Sequence, residues 1–190
     1  MEKFIIETSA RHVHVSKKDL QILFGEGYEL TPVKDLSQPG QFACEERVTI
    51  VGSKKELGRV SILGPVRPDT QVELSATDCR SIGVGIEVRE SGVIDGTPGC
   101  KIVGPKGEVE IKEGVIVAKR HIHATTKDAA ELNVSNGEIV KVRIETEGRT
   151  TIFDDVVVRV SDSYALAMHI DTDESNAAAC GREQYGAIVK

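Results

Sequence analysis

Two stretches, "RHVHVSKKD" from Arg11 to Asp19 and "RHIHATTKD" from Arg120 to Asp128, repeat one pattern at a constant offset (121 − 12 = 123 − 14 = 109). Together they hold four of the five histidines in the chain. In an extended strand residues i and i+2 project from the same face, so His12 and His14 point together, as do His121 and His123, with Val13 and Ile122 turned away. Two imidazoles side by side form a two-toothed chelate, and neutral imidazole suits zinc, iron, nickel and copper. A lone HxH is usually a surface accident or a hydrogen-bonded pair; two in matching contexts favour metal binding. Whether all four imidazoles share one ion or each pair builds its own site is left open by the spacing. The fifth histidine, His169 in "MHIDTDESNA", is the candidate third ligand. The acidic residues beside it are placed to orient ring nitrogens from outside the coordination sphere.

A second group lies in "LGPVRPDTQVELS". Arg67 sits in a loop stiffened by Pro65 and Pro68, and a guanidinium on a rigid loop is suited to bidentate recognition of phosphate or carboxylate. Glu73, in an expected strand, could complete a His-His-Glu metal set. The plainer alternative is a surface arginine and a solvated strand glutamate. For Lys34 and Asn176 it is a solvated lysine and a polar residue in the first turn of a helix. The cysteines, Cys44, Cys79, Cys100 and Cys180, form no CxxC pair and read as free thiols.

These side chains need a scaffold, and the chain supplies mostly short strands. Segments such as "ERVTIVG", "LGRVSILG", "TQVELS", "GVGIEVRE", "GVIVAKRHIH", "EIVKVRIET", "RTTIFDDVVVRV" and "ALAMHIDT" are rich in Val and Ile and bounded by turn residues, which points to barrels or sandwiches. Few helices are expected. Ser16 with Asp19, and Thr125 with Asp128, offer caps to two short ones; a third, in "DESNAAACG", would start at Asp173 and stop at Gly181. The glycine-rich stretch "ESGVIDGTPG", residues 90–99, is the expected hinge between halves.

With 190 residues, 39% of them hydrophobic and 28% charged, the chain is expected to fold as one generous domain or two small ones. A net charge of −6, without a dense run of Lys and Arg, argues against a general nucleic-acid binder, though a focused cleft could still hold an anionic small molecule. Neither a membrane-spanning run nor a signal peptide is legible, so a cytoplasmic protein is expected.

The phrases "SARHVHVS", "VAKRHIHAT", "LGPVRP", "QPGQFACEERVTIVG", "DGTPG" and "MHIDTDESNAA", in that family's order from about Ser9 to Ala178, resemble the PduL-type phosphate acyltransferases, or phosphate propanoyltransferases. The resemblance implies a mainly β fold of two β-barrel domains with a few short helices, 11–118 and 1–10 with 119–190, and a dinuclear, usually zinc, centre at their junction. It implies reversible exchange of an acetyl or propanoyl group between coenzyme A and inorganic phosphate without an acyl-enzyme. Carried over by position, His12, His14 and Glu73 would hold one metal, with the CoA sulfur as a further ligand. His121, His123 and His169 would hold the second. Arg67 would bind phosphate and stabilise the transition state, and Ser9, Lys34, Leu63 and Asn176 would line the CoA site. The expected partners are therefore acyl-CoA or CoA and phosphate or acyl phosphate, without nucleic acid or membrane, and a homo-oligomer is allowed.

Members packaged in microcompartments carry an amphipathic extension before the first HxH. Here only "MEKFIIET" precedes Ser9, which reads as a strand and favours a free cytoplasmic enzyme. Other readings are a metal-dependent hydrolase of the amidohydrolase type, whose (β/α)₈ barrel needs about 250 residues, a cupin-like dioxygenase, and a non-catalytic metal-binding module.

Overall fold

A computed structural model describes residues 2–189. The described residues form, in chain order, β1 (Phe4–Ser9), β2 (His12–His14), α1 (Lys17–Phe24), β3 (Pro32–Asp35), β4 (Phe42–Val51), β5 (Glu56–Gly64), β6 (Gln71–Glu73), α2 (Ala76–Ile82), β7 (Val88–Arg89) and β8 (Cys100–Val103). They continue with β9 (Glu108–Ile111), β10 (Val115–Ala118), β11 (His121–Ala124), α3 (Thr126–Leu132), β12 (Ile139–Ile144), β13 (Thr151–Val160), β14 (Ala167–Asp171), α4 (Thr172–Ala178) and β15 (Gln184–Val189). The protein is mainly β, as expected, and divides into two compact units, Arg11–Ala118 and Met1–Ala10 with Lys119–Lys190.

In the first unit the strands run β7-β10-β6-β2-β5-β4-β8-β9, with β3 beside β4, as a curled half-barrel sheet. The second unit is a closed barrel, β1-β14-β11-β13-β12-β15, in which β15 pairs back to β1. Each has its own apolar core. Val13, Ile50, Ile62, Val72, Ile102 and Val115 meet Leu20, Leu23 and Phe24 of α1 in one; Phe4, Ile122, Val142, Ile144, Val158 and Met168 meet in the other. The residue between each histidine pair belongs to these cores: Val13 and Ile122 are both 0% exposed. Burying a side chain of this size stabilises by about 1.5–3 kcal/mol, which fixes the face on which the neighbouring imidazoles must lie.

Capping follows the sequence in two helices. Asp19 N donates to Ser16 Oγ at 3.1 Å to start α1, and Thr125 and Asp128 form a reciprocal capping box at α3. The third helix begins earlier than Asp173 and ends before Gly181. Asp171, still extended at the end of β14, accepts from Glu174 N while Glu174 returns to Asp171 N, and Ala179 closes the helix in the left-handed region at φ 52°. The unexpected α2 uses the same grammar, with Ser75 as cap and Asp78 three residues on. Of "GVGIEVRE" only Val88–Arg89 is strand, and "GVIVAKRHIH" breaks into β10 and β11 where the chain leaves the first unit. Residues 90–99 lie inside the first unit rather than between the two.

Candidate metal centres

Strand β2 lies between β5, parallel, and β6, antiparallel, and its register with β6 sets Glu73 opposite His12 and Gln71 opposite His14. His12 Nε2 is 3.5 Å from Glu73 Oε2 and His14 Nε2 is 4.0 Å from Glu73 Oε1. All three residues are buried, and one ligand atom from each falls within 4.8 Å of the others. His14 Nδ1 lies 3.2 Å from the Leu63 carbonyl. A carbonyl only accepts, so Nδ1 carries the proton and Nε2 presents its lone pair toward Glu73. Burial first, then the neighbouring His12 and Arg67, lower the His14 pKa to about 3. Burial pushes the Glu73 carboxyl up, but His12, His14 and Ser91 together hold it below the usual carboxylate range. A neutral imidazole beside a carboxylate that stays ionised is a donor set for a divalent cation.

The second unit repeats the arrangement. Strand β11 lies between β13, parallel, and β14, antiparallel, with His169 opposite His121. The rings of His121, His123 and His169 cluster with centroids 4.6 to 5.2 Å apart, and Tyr164 packs 4.2 Å from His123. The Lys119 carbonyl accepts from His121 Nδ1 at 2.8 Å, and His169 Nδ1 is 3.6 Å from Glu7 Oε2 on β1, its partner in the ladder. The carboxylate that faces His169 Nδ1 is thus Glu7 of the neighbouring strand, while Asp171 and Glu174, which follow the histidine, are engaged in the α4 capping box.

Buried His123 Nδ1 has no hydrogen-bond partner, and burial first, then His121, His169 and Arg159, hold the ring neutral. An orphaned buried nitrogen costs about 1–3 kcal/mol unless something ligates it. The residues therefore fit a metal at both triads. His₂Glu and His₃ are, moreover, the sets that bind catalytic zinc with one position left open. Replacing Glu7 with Gln is expected to weaken zinc binding at the second triad by about 10–100-fold, read by chelator competition.

Arg67 lies on the loop between β5 and β6, close enough to His14 to depress its pKa. Its Nη1 donates to Ser91 Oγ at 3.1 Å, and Ser91 Oγ donates to Glu73 Oε1 at 2.8 Å. Fully buried Gln71 donates from Nε2 to both Glu73 Oε1 (2.7 Å) and Ser91 Oγ (2.9 Å), and its Oε1 accepts from Gly92 N at 2.7 Å. Gly92, at φ 97°, makes the turn that brings the Ser91 hydroxyl inward. Ser91 and Gln71 were not singled out from sequence. The glycine-rich loop was the available signal for Ser91, and position i−2 on the Glu73 strand the signal for Gln71.

The other expected site residues fall in both units, Leu63 and Lys34 in the first and Ser9 and Asn176 in the second. Leu63 and Lys34 share a rung through Ala43, Lys34 exposed and Leu63 holding His14 through its carbonyl. In the second unit Ser9 pairs with Asp171, and Asn176 is exposed on α4.

Among described residues no helix is long and apolar enough to cross a membrane. A phosphate propanoyltransferase family model matches residues 5–181. A phosphate propanoyltransferase of Sebaldella termitidis is 59% identical over 190 residues, covering 100% of this chain and 89% of the relative. One of Leptotrichia buccalis is 55% identical over the same span and shares. That of Thermotoga maritima is 56% identical over 186 residues, 98% of this chain and 89% of the relative. With this likeness running through both triads, the chain belongs to the phosphate propanoyltransferase family, acyltransferases that act between acyl-CoA and phosphate.

Proposed function

We propose that the protein transfers an acetyl or propanoyl group reversibly between coenzyme A and inorganic phosphate, using two metal ions, zinc favoured, and no acyl-enzyme. His12, His14 and Glu73 would hold one ion and His121, His123 and His169 the other. When bound, such ions supply Lewis-acid stabilisation to a thiolate leaving group and to anionic oxygen. The observation that carries the reading is the pair of catalytic-type ligand sets, one of them hydrogen-bonded through Ser91 to the guanidinium of Arg67.

Arg67 binds the phosphate dianion, orients one oxygen toward the acyl carbon and offsets its repulsion from the anionic CoA. That oxygen forms the new C–O bond as the C–S bond breaks, and the electron pair leaves on sulfur. Lys34 offers a cation to a CoA phosphate, with Leu63, Ser9 and Asn176 as the remaining CoA contacts.

Direct transfer accords with the cysteines. Cys44, Cys79 and Cys100 are buried, and burial pushes the Cys44 thiol up to about 11 and the Cys100 thiol up to about 12. Half-buried Cys180 is also raised. Thiols so protonated at neutral pH are poor nucleophiles.

The testing experiment mixes acetyl phosphate with CoA and follows thioester absorbance, with and without chelator. Metal-loaded protein that forms no thioester would sink the reading. Ser91→Ala is expected to raise the KM for phosphate about tenfold while metal content stays at the wild-type level, the effect of one charge-assisted hydrogen bond that orients Arg67.

A further inference from the structure

The two units share more than the histidine strands. In each, the third ligand stands directly across the antiparallel ladder from the first histidine: Glu73 from His12, His169 from His121. Two residues later comes a helix cap, Ser75 or Asp171, and at the third helical position an acidic residue, Asp78 or Glu174 (78 − 73 = 174 − 169 = 5). Both acids pair with the arginine just before the HxH. Arg11 Nε is 3.0 Å from Asp78 Oδ2, and Arg120 Nε is 2.7 Å from Glu174 Oε1. The histidine strand and the strand bearing its third ligand are thus joined twice, by the ladder and by an ion pair just beyond it.

We propose that Arg11–Asp78 and Arg120–Glu174 are equivalent positioning pairs, each locking the strand of the third ligand against its HxH strand so that one triad keeps the spacing a metal requires.

This rests on the reading that the triads bind metal. Neither arginine belongs to a triad, and each immediately precedes the histidine that pairs with the third ligand across the ladder. The acids are well buried, with side chains 9% exposed for Asp78 and 18% for Glu174. Their arginines are more open, at 44% and 29%, and pairs of this kind add little to global stability. Their effect falls on geometry instead. A ligand set works only when held within about 0.5 Å of its productive arrangement, and β2 and β6 are three residues long, too short to hold that tolerance by ladder alone.

The second pair reaches further. Arg120 Nη1 donates to the Asp154 carbonyl at 3.0 Å, and its guanidinium lies 5.1 Å from the Phe153 ring, so Arg120 also fastens the parallel neighbour β13. Glu174 divides its oxygens, one to Arg120 and one to the Asp171 amide. The same bond that starts α4 therefore fixes the acid that anchors Arg120.

The two copies allow an internal control. Zinc affinity is measured by chelator competition on the full chain, in a His123→Ala background that keeps only the first triad complete and a His14→Ala background that keeps only the second. In the first, Arg11→Gln and Asp78→Asn are expected to weaken zinc binding about 10–100-fold and Arg120→Gln to leave it unchanged; in the second the pattern reverses. Arg11→Lys and Arg120→Lys, which keep a charge, should recover part of the loss and guard against misfolding of the glutamine variants.

Metal-free melting temperature separates positioning from plain stability and should stay within a few degrees of the parent in the doubly neutral variants Arg11→Gln with Asp78→Asn and Arg120→Gln with Glu174→Gln, which leave no uncompensated buried charge. Zinc affinity unchanged by either pair, loss without triad selectivity, or loss matched by a collapse of metal-free melting temperature overturns the proposal. Parent proteins that take up no zinc remove the triad reading itself, a result distinguishable from parents that bind zinc and variants that bind it equally well.

Discussion

Arg67→Ala is expected to yield a folded protein that takes up as much metal as the wild type but whose kcat falls by about 10²–10³-fold, the cost of removing a preorganised donor from a developing anion. Folding survives because backbone bonds hold the loop: Arg67 N donates to the Val15 carbonyl at 2.9 Å, and the segment bridges Ser16 irrespective of side chain. Metal survives because Glu73 keeps its hydrogen bonds from Gln71 and Ser91. What disappears is the one group in this network that can grip phosphate with a planar fork. Arg67→Lys should recover only part of the rate, since an ammonium restores charge without bidentate geometry. Steady-state rates and metal analysis on the same samples check both halves, and wild-type turnover in Arg67→Ala would remove this residue from the chemistry.

If the triads bind metal as proposed, chelation is expected to abolish thioester formation while the protein remains folded, and added zinc to restore activity. A structural zinc module would instead unfold, because its binding energy is its folding energy. Here each core closes without help from the triads: Val13, Ile62, Val72 and Leu23 in one unit and Ile122, Ile144, Met168 and Ile170 in the other are at most 2% exposed. Zinc at a hundredfold excess over its Kd should still add about 2.7 kcal/mol per ion by mass action, seen as a rise in melting temperature. Cooperative unfolding that vanishes with the metal would contradict this, as would undiminished activity in chelator.

The features legible in the sequence are those of short range. Alternation put His12 with His14 and His121 with His123, and the Ser16 and Thr125 caps lay where local hydrogen bonding favours them. The third ligands were harder. Glu73 and His169 follow their histidine pairs at unequal distances, 61 and 48 residues (73 − 12 and 169 − 121), so no periodicity exposes their common rung. Glu7 was invisible for a related reason: β1 meets His169 only because the barrel closes with its first strand beside β14. The start of α4 was misjudged because two aspartates, Asp171 and Asp173, could each cap, and only the extended backbone at the end of β14 selects Asp171. Ser91 reads as a loop serine until the turn at Gly92 carries it to Glu73.

The placement of each third ligand directly across a ladder has a consequence for biogenesis. A strand paired one residue out of step turns every side chain to the opposite face. In β2 such a slip would drive both imidazoles into the core and bring out Val13; in β11 it would do the same with Ile122. No triad could then assemble. Ion uptake at the proposed triads would therefore proofread strand pairing, and only molecules in the native register would be commissioned as enzymes.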